Sequence, residues 1–184
     1  MNAPFDVTDI RIETQRLILR AWQESDLQDL NDYASIPGVG EMAGWSHHKS
    51  LEESQKILTL FIRNKKTFAI VLKESGKVIG SLGVEPRDED LGFDTTLQGR
   101  EIGYVLSKAY WGRGLMTEAV KAVICFCFDT LNFGYLTCGH FDHNDRSRRV
   151  VEKCGFSFLK QVVTSTARGI DEPGKLYILY NPNK

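Results

Sequence analysis

The sequence predicts a single α+β domain in which a mixed sheet of about seven strands carries helices on both faces. Three observations predict it. Apolar residues recur with periods near 2 and near 3.6, in the order strand, two helices, three strands, helix, strand, helix, two strands. The length, 184 residues, suits one domain spanning 1–184 with a sizeable core, 1–9 being a short flexible lead-in. Apolar residues form 42% and charged residues 26% of the chain, a globular balance without repeats or low-complexity tracts.

Arg11 to Ala21 alternates around Ile12, Leu17 and Leu19 and predicts a first strand. Glu24-Ser25-Asp26 opens an apolar-periodic stretch to Tyr33, a helix broken by Ile36-Pro37-Gly38-Val39-Gly40. Ser50 with Glu53 three residues on has the form of a capping box, starting a second helix that runs to Asn64. Thr67–Leu72 and Val78–Val84, joined by Glu74-Ser75-Gly76-Lys77, predict a hairpin. Polar residues 85–99 read as a loop before a fourth strand, Arg100–Ser107. Leu115, Ala119, Ala122, Val123 and Phe126 mark a largely buried helix from Gly112 to Asn132. Strand Tyr135–His140, helix Asn144–Lys153 and strands Phe156–Val163 and Leu176–Tyr180 complete the chain.

Composition also excludes. A net charge of −1 supplies no field for gathering nucleic acid, so any anion must be held by a local device. Residues 1–9 lack the basic and apolar regions of a signal peptide, and no apolar run reaches the ~18 residues of a membrane span. No membrane partner is expected, and the cytoplasm is the expected location. Cys125, Cys127, Cys138 and Cys154 have neither zinc-type spacing nor the density of a disulfide scaffold, and read as reduced and buried.

The local device is Trp111-Gly112-Arg113-Gly114-Leu115-Met116-Thr117, where the fourth strand hands over to the long helix. Two glycines permit close backbone approach, while the free N–H groups of a helix N-terminus attract pyrophosphate. Arg113 adds a charge-assisted contact. A glycine-rich turn that binds nothing is the competing reading. A dinucleotide fingerprint lacks its third glycine, and a Walker loop lacks Lys-Ser or Lys-Thr after Gly114.

Four segments in order resemble the GNAT superfamily of N-acetyltransferases, and within it the RimJ/RimL-like ribosomal-protein acetyltransferases. They are Thr14-Gln15-Arg16-Leu17-Ile18-Leu19-Arg20, Glu101-Ile102-Gly103-Tyr104-Val105-Leu106, Trp111 to Ala119, and Asn144, Ser147, Lys153, Gly155 and Phe156. The resemblance implies a sheet splayed between its fourth and fifth strands, with acetyl-CoA as co-substrate in the gap and no metal. It places pyrophosphate on the amides of Arg113 to Thr117 and pantetheine along Val105, Leu106 and Ser107, with Asn144 and Ser147 near the thioester. Met116 stands where the family has Gly or Ala, and Val151 where many members have a tyrosine acid. Ser147 is the branch's usual substitute for that acid.

Acyl transfer to an amine requires a base, oxyanion donors and a group to receive the thiolate. Glu101 matches the family's general base, with an ion pair to a neighbouring Arg as the competing reading. A backbone amide near Val105 or Leu106 is the expected oxyanion donor, and Tyr104 and Tyr177 are weaker acid candidates that core packing explains better. Glu118 reads as a helix-dipole partner. Cys138, His140 and His143 lack the fourth ligand and spacing of a zinc site. His47 and His48 read as loop residues; their neighbour Trp45, in a loop that by the resemblance lies over the acceptor cleft, is the candidate substrate contact, with Tyr104 a second one.

The acceptor is an amine. Residues 85–101 contain Glu85, Asp88, Glu89, Asp90, Asp94 and Glu101 against Arg87 and Arg100. If this segment borders the cleft it draws a basic peptide end; a solvated loop is the alternative. An α-amine, with a pKa near 8, is more readily deprotonated than a lysine near 10.4, so a peptide N-terminus is favoured over a polyamine or aminoglycoside. A non-catalytic acetyl-CoA-binding module is the other class. Monomer and homodimer stay open.

Overall fold

A computed structural model describes residues 2–86, 91 and 96–184. Among these residues the sheet holds eight strands: β1 (Arg11–Glu13), β2 (Leu17–Arg20), β3 (Thr67–Leu72), β4 (Val78–Glu85), β5 (Gly99–Leu106), β6 (Tyr135–Phe141), β7 (Ser157–Ser165) and β8 (Asp171–Tyr180). Their order is β1-β2-β3-β4-β5-β6-β8-β7. All neighbours are antiparallel except β5 and β6. The helices are α1 (Leu27–Ala34), α2 (Leu51–Asn64), α3 (Leu115–Cys125) and α4 (Asp145–Lys153).

The strand expected over Arg11–Ala21 is two strands, since alternation continues on both sides of a tight turn. Thr14 makes that turn: its N–H donates to Leu17 O at 3.0 Å, and its hydroxyl accepts from Leu17 N–H at 2.9 Å. The long helix also differs. Its α-helical part starts at Leu115 and passes at Phe126 into a π-turn ending at Thr130. Ser50 caps α2 by accepting from Glu53 N–H at 3.2 Å, but the Glu53 carboxylate takes the Lys49 N–H at 2.8 Å instead of returning to the cap. Cys127, Cys138 and Cys154 are buried, whereas Cys125 lies exposed with Lys121 on the outer side of α3.

Strand alternation separates two cores. Leu17, Leu19, Phe68, Ile70, Ile79, Ile102 and Leu106 point to one face with residues of α3 and α4. Ile18, Ala69, Val71, Val78 and Val105 point to the other with α1 and α2. On β5, therefore, Tyr104 lies on the α3/α4 side, while Glu101 and Gly103 lie on the α1/α2 side. Half-buried Arg20 clamps buried Asp26 through two bonds of 2.7 and 2.8 Å, fixing where the chain turns from β2 into α1.

Candidate active site

The parallel pairing of β5 with β6 runs from Gly99↔Tyr135 to Ile102↔Cys138 and stops. Beyond it, the last residues of β5 diverge from Gly139–Phe141, opening a cleft of about 630 Å³. The ladder determines which backbone groups line the gap. Ser107 N–H donates to Ile79 O at 2.8 Å, and the register pairs Val105 with Ser81 and Gly103 with Gly83. Hydrogen-bonded pairs alternate in an antiparallel ladder, so these odd-numbered residues turn their N–H and C=O to β4. Tyr104 and Leu106 turn theirs into the splay, beyond the last ladder pair with β6. Ser107, expected among the cofactor residues, does not line the cleft; Val105 lines it through the other side of the strand.

The Trp111–Thr117 segment closes one end. Gly112 and Gly114 have φ of 76° and 75°, a left-handed geometry that favours glycine. The N–H groups of Gly114, Leu115, Met116 and Thr117 have no intrahelical acceptor at this helix start. Trp111 donates its indole N–H to Leu106 O at 2.7 Å and packs against both cores, so it plugs the top of the splay. Arg146 of α4 lies 4.6 Å from the Trp111 ring centre, spanning the cleft. Arg113 is turned away, 5.3 Å over the Tyr110 ring, and is not among the lining residues.

At the other end two chemistries face each other. Half-buried Glu101 lies over Gly139: a Cβ built there would stand 3.8 Å from the Glu101 carboxylate and 4.0 Å from Leu176. From the opposite face, the Tyr104 hydroxyl meets Ser147 Oγ at 2.9 Å, and both residues line the cleft. Burial raises the Tyr104 phenol well above its usual value, so it stays protonated. Asn144 caps α4 by accepting from Ser147 N–H at 3.1 Å and donates to Met42 O at 3.1 Å, joining α4 to the α1–α2 loop. Val151, at the position of the missing tyrosine, is core.

Trp45 does not line the cleft. It packs on Gly40 and on the His48 ring, 5.2 Å away. Its loop instead presents Val39, Met42 and Ala43 to the cleft, and Phe141, Val162 and Leu176 complete an apolar wall. These were not predicted; the Pro-Gly break after α1 was the signal that a loop lay there, without saying which side chains it turns inward. Of the acidic segment, Arg87 to Asp90 and Asp94 lie outside the described residues, and Glu85 accepts from the Thr67 hydroxyl at 3.3 Å away from the cleft. Among the described lining residues Glu101 is the one carboxylate, while Arg146, Arg149 and Lys153 bring positive charge along α4.

Glu118 is held by the β1–β2 hairpin: its carboxylate accepts from Thr14 Oγ1 at 2.6 Å, Arg16 N–H at 2.9 Å and Arg16 Nε at 2.7 Å. Burial alone would raise its pKa, but these hydrogen bonds hold it below the usual carboxylate range. His140 is buried, its Nδ1 2.8 Å from Phe141 O and its Nε2 3.4 Å from the Tyr177 hydroxyl. His143 instead faces Glu172 at 3.8 Å. Among the described residues no group of three or more His, Cys, Asp or Glu is placed to hold a metal, and no helix is long and apolar enough to cross a membrane.

Known proteins resemble this chain in sequence and in fold. A curated relative, the uncharacterized N-acetyltransferase p20 of Bacillus licheniformis, is 28% identical over 148 residues, covering 78% of this chain and 80% of that one. Three solved structures share the fold. A GNAT-family acetyltransferase from Bacillus anthracis superposes with a TM-score of 0.81 at 18% identity, over 94% of this chain and 99% of that one. A putative ribosomal-protein-serine acetyltransferase from Vibrio cholerae gives 0.77 at 21%, over 95% and 99%. A spermidine N-acetyltransferase from Vibrio cholerae, solved with CoA and spermine, gives 0.72 at 15%, over 91% and 97%. At such identities the structures speak to fold alone. Residues 16–157 match the family described as the acetyltransferase (GNAT) domain, and with the splayed sheet and glycine loop in place the chain belongs to the GNAT N-acetyltransferases.

Proposed function

We propose that the protein transfers the acetyl group of acetyl-CoA to the α-amine of a peptide or protein N-terminus, by direct attack of the amine on the thioester. The observation carrying this reading is the placement of Glu101 on one side of the splay and the Tyr104–Ser147 pair on the other, with unpaired strand amides between them. The residues present fit the co-substrate. Amides of Gly114 to Thr117 suit a pyrophosphate, the β5 edge at Tyr104 and Leu106 suits an amide-bearing arm, and a cleft of about 630 Å³ receives it.

Each residue then has a task. Glu101, directly or through one water, accepts the proton that the amine loses on attack. The N–H groups of Tyr104 and Leu106 are the candidates to stabilise negative charge on the carbonyl oxygen. The Ser147 hydroxyl, held by Tyr104, places or protonates the departing thiolate. A free thiol has a pKa of about 8.5, so that help is modest.

The walls refine the acceptor. Val39, Met42, Ala43, Phe141 and Leu176 favour a small or apolar first residue over the basic peptide end expected from the acidic segment. A single carboxylate also suits an amine of pKa about 8 better than one near 10.4. Calorimetry with CoA and ATP in parallel tests the cofactor assignment. CoA binding without ATP binding supports it, and equal binding of both contradicts acyl transfer.

A further inference from the structure

The opening motif Thr14-Gln15-Arg16-Leu17 lies outside the cleft, yet it holds the cleft's anion loop. Arg16 Nη1 donates to the carbonyl oxygen of Arg113 at 3.0 Å. The same guanidinium is fixed from behind by Glu118, with Nη2 and Nε each 2.7 Å from Oε2. Glu118 is in turn held by Thr14 Oγ1 and by the Arg16 N–H. The hairpin is itself anchored, since Lys73 Nζ donates to Thr14 O at 2.7 Å and Lys73 N–H to Arg16 O at 2.9 Å. Guanidinium orientation is thus set by a rigid turn and a helix side chain, and the free end of its fork is spent on one backbone carbonyl.

That carbonyl belongs to the peptide linking Arg113 to Gly114. A trans peptide is planar, with its C=O and N–H on opposite edges. Drawing the Arg113 oxygen outward to Arg16 turns the Gly114 N–H away from Arg16. Gly114, at φ 75°, is the residue whose conformation most needs such a hold, because glycine alone would sample several. It lines the cleft, whereas the Arg113 side chain does not.

We propose that Arg16 is a positioning residue for the pyrophosphate loop: it orients the Arg113–Gly114 peptide so that the Gly114 N–H stands ready to bind the pyrophosphate of CoA. The proposal rests on the CoA reading above. It assigns the opening motif a role in cofactor binding that composition and periodicity do not reveal, and it requires the planar fork of arginine, since an ammonium cannot serve Glu118 and the Arg113 carbonyl together in this geometry.

The test is calorimetry of CoA and of pantetheine, which carries the thiol arm without the pyrophosphate, against wild type, Arg16→Ala, Arg16→Lys and Thr14→Val. Arg16→Ala and Arg16→Lys are both expected to weaken CoA about 10-fold, the scale of one charge-assisted hydrogen bond, with pantetheine affinity unchanged. Thr14→Val loosens the Glu118 side but leaves the fork on the carbonyl, and is expected to keep the wild-type ratio of CoA to pantetheine affinity. Melting of the free proteins accompanies each titration. If Arg16→Lys binds CoA like wild type while Arg16→Ala does not, charge alone acts and the positioning role is overturned. A parallel loss of both ligands, or no loss of either, overturns it as well. Failure of the wild type to bind CoA would instead overturn the cofactor reading on which the proposal stands.

Discussion

The Tyr104 hydroxyl on β5 lies 2.9 Å from Ser147 Oγ on α4, bridging the two walls of the splay. If the phenol donates in this bond, the serine proton is directed elsewhere, toward the cleft that both residues line. Ser147→Ala is expected to lower kcat about 10-fold, the scale of one hydrogen bond. Tyr104→Phe should cost less, and the double variant should be no slower than Ser147→Ala alone, because the tyrosine acts through the serine. Additive losses in that cycle would separate the two residues. Burial keeps the phenol protonated, so no alkaline limb from Tyr104 is expected below its ordinary pKa.

Glu101→Gln preserves shape and removes the proton acceptor. Acetyl transfer at neutral pH should fall by about 10²-fold or more, the usual scale for a lost general base, with CoA affinity little changed. An unaltered pH–rate profile would move the base elsewhere.

Gly40 has an ordinary helical φ of −66°, yet a Cβ there would intrude on the Trp45 ring. Gly40→Ala is therefore expected to displace Trp45 and shift the Met42–Ala43 wall. Overpacking of this kind costs about 1–3 kcal/mol of stability. The expected kinetic signature is a raised KM for the acceptor with CoA affinity unchanged; a raised CoA Kd with a normal acceptor KM would contradict the placement of this loop.

Glu41 organises the same loop, accepting from Gly38 N–H at 2.7 Å and standing 2.9 Å from His47 Nδ1. Burial alone would raise its pKa, but the bonds from His47 and the backbone bring it down to about 2. A depressed carboxylate stabilises the fold above its unfolded pKa of about 4.5, and that contribution fades as pH falls toward about 2. Melting temperature measured between pH 6 and about 3 should fall less steeply for Glu41→Gln than for wild type. Parallel curves would remove Glu41 from the acid response.

Local features were legible in the sequence. Gly112 and Gly114 at a strand-to-helix junction announce a helix start through neighbouring residues alone. What was not legible depends on distant pairing. Arg16 meets Arg113 across 97 residues and Tyr104 meets Ser147 across 43, and neither spacing carries a local signal. Trp45 was misplaced because an aromatic residue in a loop is equally suited to cover a cleft or to pack beneath it, and Gly40 leaves room only for the latter. The exclusion of Ser107 needed the β4–β5 register, which decides by parity which residues of β5 turn their amides into the gap.

The central claim, acetyl transfer to a peptide α-amine in an apolar-walled cleft, is tested most directly by thiol release from acetyl-CoA with a panel of amines. The panel comprises peptides beginning with Ala, Ser, Lys or Asp, an N-terminally blocked peptide with one lysine, and spermidine. The account predicts acceptor-dependent release, with kcat/KM for the Ala and Ser peptides about 10-fold or more above spermidine, the discrimination a shaped apolar pocket supplies. A preference for spermidine or for the lysine side chain, or release that no amine stimulates, would contradict it.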